Sequence, residues 1–322
     1  KYFEKPPMQY WVTALAFQIF GANEWTARLW TAISGFLGIA VVWFAGSRLF
    51  GVRAGLLGAL FLATNLYYFA LGHINTLDMG LTFFLTLSLA AFLLAQKESP
   101  GSTPERNWML IAWSAAAGAV LSKGLIGVVI PSATLVIYSL LNRDLAPWRR
   151  LHIMPGVLLF LILAAPWFIA VTLRNPEFPN FFFIHEHFQR YTSTVHRRDE
   201  APWYFVPILM IGLIPWIPLA LHGLAGAWRS VAPPGQFSAQ RFLVVWCVFV
   251  LMFFSLSGSK LPAYLLPLFP ALALLLGPYL CTAKRSFIQV TIALAIAISL
   301  LGLIGLPFAL NARSESPLIA LY

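Results

Sequence analysis

About ten stretches of this 322-residue chain run for roughly 15 to 25 residues with no Asp, Glu, Lys or Arg near their middle. They lie near 29–46, 54–72, 79–96, 107–121, 125–141, 153–173, 203–221, 242–257, 261–281 and 286–310. A helix needs about 20 mostly apolar residues to cross the hydrocarbon of a bilayer, so the pattern reads as a polytopic membrane chain. The runs are continuously apolar, rich in Leu, Ala and Gly, and show no sustained period-two alternation. That favours helices over barrel strands. The expected fold class is therefore an all-α integral membrane bundle.

Composition closes off the other classes. The chain is 60% hydrophobic and only 10% charged, against roughly a quarter charged in ordinary soluble chains. Aromatic residues make up 15% of it, with 12 Trp, which excludes disordered, collagen-like and coiled-coil readings. Cys247 and Cys281 both sit inside apolar runs, so neither a disulfide framework nor a Cys-based metal site is indicated.

The net charge of +10 comes from 21 Lys and Arg against 11 Asp and Glu. Position decides what it means. Arg48, Arg53, Lys97, Arg106, Arg143, Arg149, Arg150, Arg229, Arg241, Lys284 and Arg285 fall in connections that read as cytoplasmic by the positive-inside rule. The other positives fall on the opposite side, four of them in the long 174–202 loop and Lys123 and Lys260 in very tight turns. Those outer positives need a reason other than orientation.

Four segments carry the polar chemistry of that outer face. Lys1 to Pro7 leads into a short aromatic stretch, 9–20, which is too short to span and should lie along the membrane surface. Pro6 and Pro7 hold the preceding Glu4 and Lys5 on a stiff extended segment. His73 to Asp78 joins two apolar runs, with Asp78 at a helix start, where it serves either as an N-terminal cap or as an interfacial carboxylate. Lys123 and Lys260 each stand beside Ser and Gly at a helix junction, a combination suited to an anion and equally to a lysine snorkelling to the interface. In the fourth segment, read as a helix, His185 and Gln189 share one face and Glu186 and Arg190 another. A carboxylate from elsewhere, such as Glu4, could complete a divalent-metal site with His185.

Tyr2-Phe3-Glu4-Lys5-Pro6-Pro7, His73-Ile74-Asn75-Thr76-Leu77-Asp78, Leu121-Ser122-Lys123-Gly124, Phe182-Phe183-Ile184-His185-Glu186-His187 and Ser257-Gly258-Ser259-Lys260-Leu261-Pro262 occur in this order. Together they resemble the polyprenyl-phosphate-dependent glycosyltransferases related to protein mannosyltransferases, and most nearly the undecaprenyl phosphate-aminoarabinose:lipid A transferase group. The resemblance covers nearly the whole chain. It implies a GT-C type multi-helix transmembrane bundle with periplasmic juxtamembrane helices, in a bacterial inner membrane, with the active site on the periplasmic side.

The implied reaction moves a sugar with inversion from undecaprenyl phosphate to lipid A or another glycan or protein acceptor, without nucleotide or nucleic acid. By the same resemblance Lys5 and Arg190, with Lys123 and Lys260 behind them, would bind the carrier phosphate. Asp78 matches a catalytic acidic position, Glu4 and His185 match a metal pair for which zinc is the expected ion, and Tyr2 and Tyr264 would line the substrate cavity. Family members carry a first helix, a further acidic residue ahead of the Tyr-Phe-Glu-Lys segment and a C-terminal periplasmic domain. The expectation is a transmembrane domain over 1–322 that lacks all three. Within the same fold, protein O-mannosyl transfer is the alternative. A transporter of lipid-linked substrates is the different-class rival, marked by charged or broken helices at mid-membrane.

Overall fold

The computed structural model describes residues 5–189, 200–229 and 237–314, and among these the secondary structure is helical. Helix α1, Met8–Phe20, begins directly after Pro7 and leaves Tyr10, Trp11, Leu15, Ile19 and Phe20 exposed, as suits a short helix lying at an interface. Helix α2, Glu24–Phe50, is started by a reciprocal cap: the Asn23 side chain accepts from the Thr26 N–H at 3.0 Å, and the Thr26 hydroxyl accepts from the Asn23 N–H at 3.1 Å. Helices α3, Val52–Ala63, and α4, Leu66–Leu71, follow. The next pair, α5, Leu77–Lys97, and α6, Thr103–Lys123, form a closely packed hairpin. Beyond it come α7, Ile126–Asn142, the single turn α8, Ala146–Arg149, and α9, Ile153–Arg174. A π-helix, Asn180–Gln189, leads to α10, Phe205–Gly212, and α11, Ile217–Arg229. The described chain ends with α12, Ala239–Leu256, a 3₁₀ turn at Pro262–Leu265, α13, Leu268–Thr282, and α14, Arg285–Ser314.

Three expected spans are not continuous helices, and the 261–281 run opens with the 3₁₀ turn Pro262–Leu265 before α13 begins at Leu268. The 54–72 run breaks where the Thr64 hydroxyl turns back onto the Leu60 carbonyl at 2.7 Å. Asn65, fully buried, then caps α4 by accepting from the Tyr68 N–H at 2.9 Å. The Asn65 amide also donates to the Gly212 carbonyl at 2.7 Å, so this break packs against a second one. There, in the 203–221 run, α10 and α11 meet at 107°. Among the described residues, α2, α5, α9, α12 and α14 are long and apolar enough to cross a bilayer unaided. The α10 and α11 pair qualifies only as one bent unit, and α3, α7 and α13 are shorter apolar helices. The expectation of about ten full spans is thus replaced by a mixture of full, short and broken helices. A stretch can be apolar throughout and still hold one polar residue that prefers to cap.

Most of α5 is buried, between α2 on one side and α6 on the other. Helices α3 and α13 approach closely through glycines. A Cβ at Gly58 would stand 2.6 Å from the Ala273 carbonyl oxygen, and one at Gly277 would overlap the Ala54 carbonyl. Backbone cannot yield there as a side-chain tip can. Gly58→Ala is therefore expected to destabilise the bundle by about 1 to 3 kcal/mol. The check is the thermal midpoint of the detergent-solubilised protein, and an unchanged midpoint would contradict this contact.

The two ends of the bundle differ in charge chemistry. At one end Lys97 donates to the Arg48 carbonyl. Arg150 reaches across to the frayed carbonyls that finish α5, donating to Ala95 at 2.7 Å and Gln96 at 2.8 Å, and also to the Glu98 carbonyl. Glu105, 1% exposed, holds Arg150 Nε at 3.2 Å and accepts from the Gly101 N–H, with His152 Nε2 at 3.6 Å. The positives read as cytoplasmic thus include Arg48, Lys97 and Arg150 at one shared end. Asp78 and Lys123 lie at the other.

Candidate functional site

The first turn of α5 and the last turn of α6 meet because the two helices form a hairpin. Asp78 sits in that first turn, 7% exposed, where the unpaired N–H groups of a helix start favour negative charge. Lys123 is the last residue of α6. Gly124, at φ +100°, turns the chain immediately after it in a conformation that favours glycine. The two side chains form an ion pair, and the Lys123 ammonium also lies 4.4 Å from the centroid of the Tyr264 ring. Tyr264 is carried by the 3₁₀ turn after α12, which Tyr67 ties down by donating to the Pro262 carbonyl.

The second ion pair comes from the chain ends of this region. Lys5, just before the Pro6-Pro7 start of α1, pairs with Glu186 on the π-helix. Glu186 is 8% exposed, and its other oxygen lies 3.7 Å from His185 Nδ1. Helix α1 also steadies the approach to Asp78, because the Gln9 side chain donates to Asn75 Oδ1 at 2.9 Å.

Both pairs face one cavity of about 590 Å³. Its lining divides by chemistry. Lys5, Asp78, Lys123 and Glu186 are joined by Ser257 and Ser259 at the polar part, while Leu81, Ile126, Val129, Phe183, Phe253 and Phe254 supply an apolar wall. Such a cavity can take an amphipathic molecule, with an anionic head against the lysines and a hydrocarbon tail along the wall.

Of the residues singled out from the sequence, Lys5, Asp78, Lys123 and Tyr264 are brought together around this cavity. Lys260 is not among its lining. Its ammonium folds back onto the Ser257 carbonyl at 2.7 Å and braces its own loop, leaving Ser257 and Ser259 to face the cavity. Tyr2, Glu4 and Arg190 lie outside the described residues. His185 is described and stacks on Phe181 at 5.4 Å. Among the described residues no three His, Cys, Asp or Glu side chains gather as metal ligands, and Glu186 is committed to Lys5. Of the expected metal pair, Glu4 lies outside the described residues and His185 alone is described. Glu186 as the partner of Lys5 was not foreseen: the two stand 181 positions apart, and the only signal was a lone carboxylate between two histidines. The helix expected there is present but wound as a π-helix over Asn180–Gln189, and Arg190 lies outside the described residues.

Residues 4–169, just over half the chain, match the family model for dolichyl-phosphate-mannose-protein mannosyltransferases. The chain belongs to that family. Curated relatives include the undecaprenyl phosphate-alpha-4-amino-4-deoxy-L-arabinose arabinosyl transferases of Erwinia tasmaniensis, 30% identical over 86% of this chain and 49% of the relative, and of Aeromonas salmonicida, 32% identical over 86% and 50%. The chain spans about half the length of the curated relatives it matches. Among solved structures, ArnT from Cupriavidus metallidurans, crystallised with undecaprenyl phosphate, superimposes with a TM-score of 0.87 at 41% identity, over 96% of this chain and 56% of that one. The Archaeoglobus fulgidus oligosaccharyltransferase matches with a TM-score of 0.60 at 16% identity over 93% of this chain and 46% of its own, a likeness of fold alone. The family's GT-C bundle is therefore the architecture here.

Proposed function

We propose that this chain is the membrane part of an inverting glycosyltransferase that moves 4-amino-4-deoxy-L-arabinose from undecaprenyl phosphate to lipid A at the periplasmic face of a bacterial inner membrane. The observation that carries the reading is the cavity in which two lysine and carboxylate pairs meet an apolar wall, in a chain 41% identical to an ArnT crystallised with undecaprenyl phosphate. In this reading the anomeric carbon to phosphate oxygen bond breaks and its electron pair stays on the phosphate. An acceptor oxygen bonds to the opposite face of that carbon. Lys5 and Lys123 stabilise the charge that grows on the leaving phosphate, and Asp78 fixes the Lys123 ammonium where that charge appears.

The wall of Leu81, Ile126 and Phe254 would take the first units of the polyprenyl tail. Its burial supplies affinity, and the ion pairs supply the position of the head.

Lipid A extracted from cells with and without the full-length gene decides the reaction. An added aminopentose mass that depends on the gene is expected, and unmodified lipid A under inducing conditions would overturn the acceptor. For the donor, Lys5→Ala in the full-length protein should weaken undecaprenyl phosphate binding about 10- to 100-fold, since it removes a charge-assisted contact from a poorly solvated site. Equal affinity in a direct titration would remove Lys5 from the phosphate clamp.

A further inference from the structure

The charged residues described around the cavity are balanced within it. Asp78 answers Lys123 and Glu186 answers Lys5, so their formal charges cancel. A pocket built only to hold a phosphate gains nothing from a carboxylate on the very lysine that should hold it. Asp78 has a reason to be there, since it sits at a helix start and orients Lys123. Glu186 has no such helix-start role. It comes from a π-helix, a rare backbone form often found at functional sites. Its side chain is only 5% exposed, so solvent does little to screen it from anything that enters the cavity beside Lys5.

From this geometry we propose that Glu186 is an internal counter-ion that competes with the carrier phosphate for Lys5 and thereby sets how readily the spent carrier leaves. The inference rests on the undecaprenyl phosphate reading given above. In that reaction the donor is a phosphodiester with a single negative charge. The spent carrier is a phosphomonoester, whose charge is about −1.5 to −2 near neutral pH. Two unopposed lysines would bind that product more tightly than the donor and stall turnover. A fixed carboxylate repels a bound anion in proportion to its charge, so it acts more strongly on the product. Lys5 passes between two anions: Glu186 when the cavity is empty of carrier, and phosphate when it is loaded.

The role predicts a direction that a structural salt bridge does not. In the full-length protein Glu186→Gln should bind undecaprenyl phosphate about 10-fold more tightly than wild type, and its methyl phosphodiester more tightly by a smaller factor. Turnover should show stronger product inhibition. The gain should shrink when Glu186→Gln is combined with Lys5→Ala, because only the direct repulsion by the carboxylate is then left to relieve. Unchanged or weaker monoester binding in Glu186→Gln would overturn the proposal, since a bridge that merely holds the fold loses affinity when cut. If that variant does not fold, a cryo-electron microscopy structure of the wild-type protein with undecaprenyl phosphate bound carries the same test. The Lys5 ammonium should then lie on a phosphate oxygen and more than about 4 Å from Glu186, and an intact Lys5 to Glu186 pair beside bound phosphate would sink the idea. Failure of wild type to bind undecaprenyl phosphate at all would refute the donor reading instead, which separates the two outcomes.

Discussion

Asp78→Asn in the full-length protein is expected to lower kcat of the proposed transfer by about 10²- to 10³-fold with little rise in KM. The replacement is nearly isosteric, so the first turn of α5 and the cavity shape should persist. What changes is charge. Asp78 pairs with Lys123, whose ammonium is also held against the Tyr264 ring, and the two contacts fix it at one point of the cavity. An amide leaves the ammonium free to follow the phosphate in the ground state. Binding is kept, while the preorganised field at the leaving oxygen is lost. Steady-state kinetics separates these effects. A kcat within about threefold of wild type would remove Asp78 from the reaction centre.

The largest expected loss of stability lies at the opposite end of the bundle. Glu105→Ala deletes the carboxylate that holds Arg150 Nε, the Gly101 N–H and the neighbouring His152. Arg150 would remain largely buried without its counter-charge, while still tied to the carbonyls of Ala95 and Gln96. Breaking a buried pair by removing one partner typically costs about 3 to 5 kcal/mol. Glu105→Gln keeps the volume and some of the hydrogen bonds and should cost less. Thermal unfolding in detergent reports both variants. Donor affinity measured on folded Glu105→Ala should match wild type, since Glu105 lies about a helix length from the cavity.

The sequence was most readable where one property repeats along a single helix. The runs 79–96 and 107–121 lie within α5 and α6, and 125–141 matches α7 to within one residue at its start, because a continuous apolar stretch between capping residues leaves the backbone little choice inside a bilayer. It was least readable where a side chain answers another far along the chain. Asp78 and Lys123 each stood out, yet nothing local says that they touch across 45 positions. Lys123 and Lys260 looked alike, each beside Ser and Gly at a junction. The difference lies in backbone path: Lys123 ends a helix against Asp78, whereas the loop holding Lys260 curls so that its ammonium meets its own Ser257 carbonyl. Thr64 and Asn65 were visible as polar residues inside an apolar run. That Asn65 would cap a new helix and also reach the Gly212 carbonyl depends on a partner helix that arrives 147 residues later.

The α5 and α6 hairpin is held at both ends, by the Asp78 to Lys123 ion pair at the cavity and, at the other, by Arg150, which pairs with Glu105 of α6 and donates to the last carbonyls of α5. Its register is therefore fixed as well as its length. One residue added within α5 between Gly80 and Leu94 would lengthen the helix by about 1.5 Å, which a bilayer absorbs easily, but would rotate Asp78 by about 100° relative to the end held by Arg150. The carboxylate would face away from Lys123 in a helix that still spans. Substitutions along α5 that keep packing can be tolerated, whereas a single insertion or deletion there turns Asp78 away from Lys123 and shifts the buried faces that pack on α2 and α6.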